Sequence, residues 1–309
     1  MAIDSSLSPV GLVLSGGGAK GAFQVGVWKA MCETGIADRV KVISGTSVGA
    51  INAAAFALMR EPDRIRDLWC KHIKDVVCPN FGILNLGTIA SAIWDMIRGV
   101  PFPFLGIFSR PGLVELLHRV VTHPISETGI DVYATASECK GNVLQTFASD
   151  GYKLHRFHLN EEHITKRIRL MILASASIPW GFDPVEVDGV RYVDGAFDGK
   201  GGDNVPIAPI LDNHPDIKTV YVIRCNSRAV EPETSRNLSK PDCRIVEIRP
   251  RRTLPGILDD LNVTDDPTFK SWSGDFSFRS DYVGKYFDMG YIDGLAALRN
   301  PILDAKLEW

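Results

Sequence analysis

Residues 40–59 read VKVISGTSVGAINAAAFALM, and this stretch decides the fold that we predict for the chain. Val40 to Ser44 is a short apolar run of the kind found in buried strands, whereas Val48 to Met59 is rich in small and apolar residues and favours a helix. Between them, Gly45 to Gly49 follow the pattern Gly-x-Ser-x-Gly. A strand, a sharp turn that carries a serine, and a helix are the elements that build a nucleophile elbow.

Ser47 is the centre of this turn and the first candidate for a catalytic residue. The turn is so sharp that its flanking positions tolerate little side chain, which explains the glycines Gly45 and Gly49. The turn also places the serine hydroxyl at a helix N-terminus, where N–H groups and the helix dipole favour developing negative charge. The strand before it and the helix after it therefore favour a nucleophile over a glycine-rich turn without chemistry.

The same order of elements occurs upstream, at the start of the chain. Val10 to Leu14 is predicted to be a strand, Ser15 to Gly18 a turn, and Ala19 to Thr34 a helix. Alternation of strands and helices predicts an α/β fold with a parallel sheet and helices on its faces. Further elements are predicted as strands at 130–136, 143–148, 185–187, 190–193, 219–223 and 244–248, and as helices at 161–173 and 280–298.

Gly16 to Gly21 form a second glycine-rich turn between a strand and a helix, and three interpretations are open. The spacing matches the dinucleotide fingerprint, but no acidic residue stands at the end of the next strand, where ribose would need one. A phosphate loop would need Ser or Thr after Lys20, and the chain has Gly21 there. An oxyanion hole needs backbone N–H groups close to a nucleophile, which fits the neighbouring strand that leads to Ser47. A nucleotide-binding module at Gly16 to Gly21 is the alternative.

A serine nucleophile needs a group that accepts its proton, and two candidates follow it in the chain. None of the seven histidines lies in a glycine-rich turn or at the end of a convincing strand, but His214 comes late in the chain, as the histidine of an ordinary α/β-hydrolase does. Asp194 ends the predicted strand 190–193 and precedes small residues that would let a substrate approach. A general carboxylesterase with a triad through His214 is therefore an alternative, and position alone does not decide between the two bases.

Length and composition indicate a globular protein and exclude several other classes. The chain has 309 residues, 45% of them apolar, and a net charge of −3, so we expect one domain over residues 1–309 and no binding of nucleic acid. Its six cysteines show no Cys-x-x-Cys pair, which suggests neither a zinc site nor a thioredoxin-like motif. We expect no metal site and no cofactor. The chain starts without a basic region, and no apolar run reaches the roughly 20 residues that cross a membrane, so we expect a cytoplasmic protein.

Three blocks in order resemble those of the patatin-like phospholipase family: Gly16 to Gly21, Gly45 to Ala50, and Asp194 to Ala196. The resemblance extends well over about residues 9–210. It implies a three-layer α/β/α fold with a mainly parallel central sheet and a nucleophile elbow. Shorter stretches are similar too, at 174–179, 204–207 and 290–294.

The resemblance also implies the chemistry of the site. Ser47 and Asp194 would form a catalytic dyad without a histidine. The expected substrate is a phospholipid or another lipid ester, cleaved by phospholipase A or lysophospholipase activity through an acyl-enzyme. Backbone groups of four residues would form the oxyanion hole: Gly16, Gly17, Gly18 and Val48.

Residues 78–110 combine many apolar side chains with few charges. They predict either a core helix with a proline-rich connection, or a mobile lid or acyl-chain groove that meets a lipid surface. Arg249, Arg251 and Arg252 form a small basic cluster, which either lies on a solvated loop or contacts lipid phosphates. From the lipid substrate we expect transient contact with membrane surfaces, whereas the sequence gives no indication of the oligomeric state.

Overall fold

A computed structural model describes residues 8–76, 78–79, 108–139, 153–179, 181–196, 202–227, 242–254 and 280–299. The strands are β1 (Val10–Leu14), β2 (Val40–Thr46), β3 (Cys78–Pro79), β4 (Phe108–Ser109), β5 (Asp131–Glu138), β6 (Leu154–His158), β7 (Val185–Val187), β8 (Val190–Asp194), β9 (Thr219–Ile223) and β10 (Arg244–Ile248). The helices are α1 (Gly21–Glu33), α2 (Val48–Leu58), α3 (Pro62–Val76), α4 (Pro111–Val120), α5 (Thr165–Ser175), α6 (Ala208–Asn213) and α7 (Ser280–Arg299).

Eight of the described strands form one sheet in the order β10-β9-β1-β2-β5-β8-β7, with β6 paired to β5 beside this path. The pairs β1–β2, β1–β9, β9–β10 and β2–β5 are parallel. The pairs β5–β6, β5–β8 and β7–β8 are antiparallel. The structure therefore confirms the predicted α/β fold with a mainly parallel sheet flanked by helices.

Strand β1 shows that the sheet lies in the middle of the molecule. All five of its residues are buried. Leu12 and Leu14 belong to a large apolar cluster that includes side chains of α1 to α5 and α7, whereas Val13 belongs to a smaller cluster with Ile210 of α6. Because successive side chains of a strand point to opposite faces, this division means that both faces of the sheet are covered.

Two helices begin later than the sequence predicts, each because a 3₁₀ turn precedes it. Helix α1 begins at Gly21, after such a turn at Gly18–Lys20. Helix α5 begins at Thr165, after a turn at Leu159–Glu161 and a short connection. Hydrophobic spacing does not separate a 3₁₀ turn from the first turn of an α-helix, so the shift is of the size expected from pattern alone.

The two ends of the region 78–110 meet in the structure. Strands β3 and β4 pair antiparallel, Cys78 with Ser109 and Pro79 with Phe108. Most of this region and the predicted strand at 143–148 lie outside the described residues, so the lid stays a prediction. Among the helices of the described ranges, none is both long enough and apolar enough to cross a bilayer.

Helices α1 and α7 pack closely because glycines bring their backbones together. A Cβ at Gly26 would lie 2.0 Å from the carbonyl oxygen of Phe287, and a Cβ at Gly290 would lie 2.0 Å from that of Phe23. Neither position can hold a side chain without separating the helices. The stretch 290–294, which the sequence singled out, therefore serves helix packing.

Two arginines of the predicted basic cluster are held in ion pairs. Arg249 Nη2 lies 2.7 Å from Glu247 Oε2, and Arg251 Nε lies 2.7 Å from Asp293 Oδ1. The backbone N–H of Arg251 also donates to Asp293 at 3.0 Å. The two Arg251 contacts join the segment after β10 to α7. The ion pairs of both arginines favour a structural role over binding of lipid phosphates.

Candidate active site

Ser47 lies in the sharp turn between β2 and α2, where its backbone has φ 57° and ψ −126°. A positive φ is strained for a residue with a side chain, so the surrounding contacts must hold it. The flanking glycines leave the necessary room. A Cβ at Gly45 would lie 2.3 Å from the backbone of Gly49, and a Cβ at Gly49 would lie 2.2 Å from the carbonyl oxygen of Leu14. The turn has the geometry of a nucleophile elbow.

Ser175, at the end of α5, holds this strained turn from the side. The backbone N–H of Ser47 donates to Ser175 Oγ at 3.0 Å. Ser175 Oγ in turn donates to the carbonyl oxygen of Thr135 at 2.6 Å. A buried hydroxyl that accepts and donates in this way joins α2, α5 and β5 at the site. The sequence marked Ser175 only as part of the stretch 174–179 and assigned it no role.

The sheet brings Asp194 to Ser47 because β2 and β8 share one edge of β5. Thr46 at the end of β2 pairs with Thr135, and Asp194 at the end of β8 pairs with Ala136. Strand β6 pairs with both of these β5 residues along the other edge. Strands β2 and β8 therefore approach each other end to end, and the residue after Thr46 meets the last residue of β8.

The carboxylate of Asp194 is buried, accepts a hydrogen bond from the backbone N–H of Ala196 at 2.9 Å, and lies within hydrogen-bonding reach of the Ser47 hydroxyl. Only 1% of the residue is exposed to solvent. Burial raises the pKa of Asp194 to about 7, although these two neighbouring donors act in the opposite direction. Gly195 must be small, since a Cβ there would lie 2.4 Å from the carbonyl oxygen of Thr135.

The glycine turn after β1 lies against the same serine. A Cβ at Gly16 would lie 3.2 Å from the Cβ of Ser47 and 2.4 Å from Asn204 Oδ1. The backbone N–H of Gly16 donates to the carbonyl oxygen of Asn204 at 3.2 Å. Gly17 and Gly18 both have positive φ, 153° and 50°, a conformation that favours glycine.

Three backbone N–H groups beside Ser47 have no acceptor among the described residues: those of Gly17, Gly18 and Val48. The N–H of Val48 lies at the start of α2, where the helix dipole adds to its positive potential. Gly17 and Gly18 are half-buried, and Val48 is buried. Unpaired N–H groups at such positions are able to donate to a negatively charged oxygen of a ligand.

Lys20 does not extend from the glycine turn as a phosphate-binding lysine would. Its side chain is buried, and its ammonium donates a hydrogen bond to Asn226 Oδ1. In the described part of the chain, no group of three or more His, Cys, Asp or Glu side chains is arranged to hold a metal ion. The buried position of Lys20 therefore argues against a phosphate loop at this turn.

His214 lies at the opposite end of the sheet from Ser47. Its Nε2 is 3.1 Å from the Tyr133 hydroxyl, and its Nδ1 is 3.9 Å from Asp131. Asp131 is the first residue of β5 and pairs with Val42, five residues before the serine. Five residues of a strand span roughly 16 Å. The alternative triad through His214 is therefore wrong, because chain order carries no information about which end of the sheet a loop reaches.

A narrow cavity of about 40 Å³ lies beside Ser47. Its walls are almost entirely apolar and come from the glycine turn, α2, α3, α4 and the segment after α5. An apolar cavity next to a nucleophile can hold a hydrocarbon chain and exclude water. The side chains that form most of it are Val48, Ile51, Trp69, Leu113, Leu116 and Phe182.

Comparison with known proteins finds similarity to one family. A family model described as patatin-like phospholipase matches residues 12–215. The human patatin-like phospholipase domain-containing protein 6 is 37% identical over 192 residues, which is 61% of this chain and 12% of that protein. The cUMP-AMP-activated phospholipase of Escherichia coli is 44% identical over 69 residues, which is 21% of this chain and 22% of that protein. The chain thus matches less than a quarter of the length of either relative.

A solved structure supports the same fold at low sequence identity. Human GIVD cytosolic phospholipase A2 aligns with a TM-score of 0.54 and 11% identity, covering 98% of this chain and 61% of that one. At this identity, the likeness concerns the α/β/α fold alone.

Proposed function

The chain belongs to the patatin-like phospholipase family, and from this premise we propose that it hydrolyses carboxylic ester bonds of lipids with Ser47 as nucleophile and Asp194 as base. The observation that carries the proposal is that the ends of β2 and β8 bring the buried carboxylate of Asp194 within hydrogen-bonding reach of the Ser47 hydroxyl. Relatives that are named phospholipases support lipids as the substrate class.

In the first half of the reaction, Ser47 Oγ attacks the ester carbonyl carbon while Asp194 accepts the hydroxyl proton. The carbonyl oxygen becomes an oxyanion, which the N–H groups of Gly17, Gly18 and Val48 stabilise. Gly16 belongs to the same turn, but its N–H already donates to Asn204, so we assign it to close packing. When the tetrahedral intermediate collapses, the leaving alcohol takes the proton from Asp194.

The second half repeats these steps with water. Asp194 accepts a proton from a water molecule, whose oxygen attacks the acyl-enzyme carbonyl. The same three N–H groups stabilise the second oxyanion, and collapse of this intermediate returns the proton to Ser47 Oγ. The products are a free fatty acid and the deacylated enzyme, and every proton transfer uses groups of the protein.

The raised pKa of Asp194 suits this role. An ordinary aspartate is a weak base toward a serine hydroxyl, whereas burial raises the pKa of Asp194 to about 7. A base whose pKa lies close to the working pH is both ionised and able to accept a proton effectively. The apolar cavity beside Ser47 would hold the acyl chain, and the polar part of the lipid would point toward solvent or a membrane surface.

Fluorophosphonate labelling and hydrolysis assays test the proposal. Wild type should be labelled and should hydrolyse phosphatidylcholine or lysophosphatidylcholine. Ser47→Ala should lose labelling and about 10³-fold or more of the activity, and Asp194→Asn should lose about 10²- to 10⁴-fold. Two matched controls, Ser227→Ala and Asp216→Asn, lie outside the site and should retain activity, as should His214→Ala.

Each contrary result has a defined meaning. Full activity in Ser47→Ala or Asp194→Asn would refute the dyad. Loss of activity in folded His214→Ala would restore the triad. Hydrolysis of p-nitrophenyl butyrate without hydrolysis of either lipid would favour a general carboxylesterase.

A further inference from the structure

The apolar cavity beside Ser47 is bounded on one side by Trp69 of α3. This side chain is buried, with 4% of the residue exposed. Its indole N–H donates to Asn52 Oδ1 at 3.0 Å. A large aromatic ring therefore forms a wall of the cavity, and its polar edge is tied to helix α2.

A buried chain of hydrogen bonds fixes the orientation of this ring. The amide of Asn52 donates to the carbonyl oxygen of Gly21 at 2.9 Å and to Gln24 Oε1 at 2.8 Å. Gln24 donates onward to the carbonyl oxygen of Ser15 at 2.7 Å. If the Trp69 ring rotated away, Asn52 would lose the donor to its carbonyl in a site that water does not reach, which is costly.

The distance from the nucleophile to this wall follows from helix geometry. Asn52 comes five residues after Ser47, which corresponds to a rise of about 7 Å along α2. A fully extended polypeptide advances about 3.6 Å per residue, that is for every three backbone bonds, and an extended acyl chain advances by a similar length. An acyl chain that runs from Ser47 along α2 therefore reaches the level of Asn52, to which the Trp69 indole donates, after about six bonds. The cavity has a volume of about 40 Å³, which leaves room for few methylene groups.

We propose that Trp69 determines acyl-chain length by closing the acyl pocket about six carbons from the scissile carbonyl. The enzyme then prefers short and medium acyl chains to long ones. This inference rests on the proposed lipid ester hydrolysis at Ser47. Trp69 is a specificity-determining residue: it contacts the end of the chain and takes no part in proton transfer.

A series of p-nitrophenyl esters from butyrate to palmitate tests this assignment, with kcat/KM measured for wild type, Trp69→Ala and Trp69→Phe. Wild type should have its maximum at hexanoate or octanoate. In Trp69→Ala, each methylene newly buried is worth about fourfold, so the laurate-to-hexanoate ratio should rise at least tenfold. Trp69→Phe keeps an aromatic wall and should stay closer to wild type. Comparing ratios between variants cancels effects of substrate aggregation.

A matched control separates pocket shape from loss of stability. Trp28→Phe removes another buried indole N–H, one that donates to the carbonyl oxygen of Arg60 outside the cavity, and should leave the chain-length ratio unchanged. If Trp69→Ala does not fold, Trp69→Leu opens the same end and must move the ratio in the same direction. A wild-type maximum at palmitate, or an unchanged ratio in the folded variants, overturns the inference alone. Absence of hydrolysis for every p-nitrophenyl ester and for both lipids overturns the proposed function with it.

Discussion

Replacing Asp194 with asparagine should make the folded protein more stable at pH 8 while it removes most of the activity. The carboxylate is buried with 1% exposure, and burial raises its pKa from an ordinary 3.8 to about 7. Asparagine has nearly the same shape. Its carbonyl can accept the Ala196 N–H, and its amide can donate to Ser47 Oγ, so the hydrogen bonds survive without a buried charge.

The size of the effect follows from the pKa difference between folded and unfolded chain. The two values, about 7 and 3.8, differ by about three pH units, each worth about 1.4 kcal/mol, which gives a total near 4 kcal/mol. Because the folded pKa is the higher one, the folded state binds more protons between pH 4 and pH 7. The wild type therefore loses stability as pH rises through this range, whereas Asp194→Asn does not.

Thermal unfolding of wild type and Asp194→Asn between pH 4 and pH 8 measures this difference. Titration of all other groups is common to both proteins and cancels in the comparison. The melting temperatures should be close near pH 4 and should diverge to roughly 10 °C in favour of the variant at pH 8. Asp216→Asn, a change at an exposed position, should show no such divergence. A difference that is independent of pH, or a less stable variant at pH 8, would refute the assignment of a raised pKa.

Three further predictions follow from the same contacts. The kcat/KM of the wild type should decrease as the pH drops below about 7, the pKa of Asp194, because only ionised Asp194 accepts a proton. A pH-rate profile in which kcat/KM decreases only near pH 4 would contradict this. Ser175→Ala removes the acceptor of the Ser47 N–H and should lower kcat by about tenfold to a hundredfold with little change in KM. An unchanged kcat would show that the turn keeps its conformation without this hydrogen bond. Gly195→Ala should lose about 2 kcal/mol or more in a denaturant titration, since its Cβ would lie 2.4 Å from the Thr135 carbonyl oxygen. Gly284→Ala, on a helix with open space around it, should be neutral or stabilising in the same titration.

Local sequence was sufficient for the elements that carry the nucleophile. Strand and helix periodicity, together with glycine at Gly45 and Gly49, predict the turn at Ser47, because turn sterics depend on residues that are close in sequence. The glycine turn at Gly16 was open to three interpretations for the same reason: its shape is local, but its role depends on its neighbours. Asp194 became the preferred base only through the family resemblance.

Contacts between distant parts of the chain determined the other features of the site. Ser175 lies 128 residues from the serine whose N–H it accepts, and no spacing rule connects them. His214 was excluded only when the register of β2 and β5 placed it at the far end of the sheet. The raised pKa of Asp194 and the wall formed by Trp69 depend on burial, and burial depends on how several elements pack together.

The sequence by itself thus determined which residue we propose as nucleophile, since the sharp turn at Ser47 is built by a few consecutive residues. The tertiary structure decided which carboxylate meets it, in which direction burial shifts the pKa of that carboxylate, and which side chains line the adjoining cavity. The physical reason is that strand register and side-chain packing set these distances, and both are properties of the whole sheet.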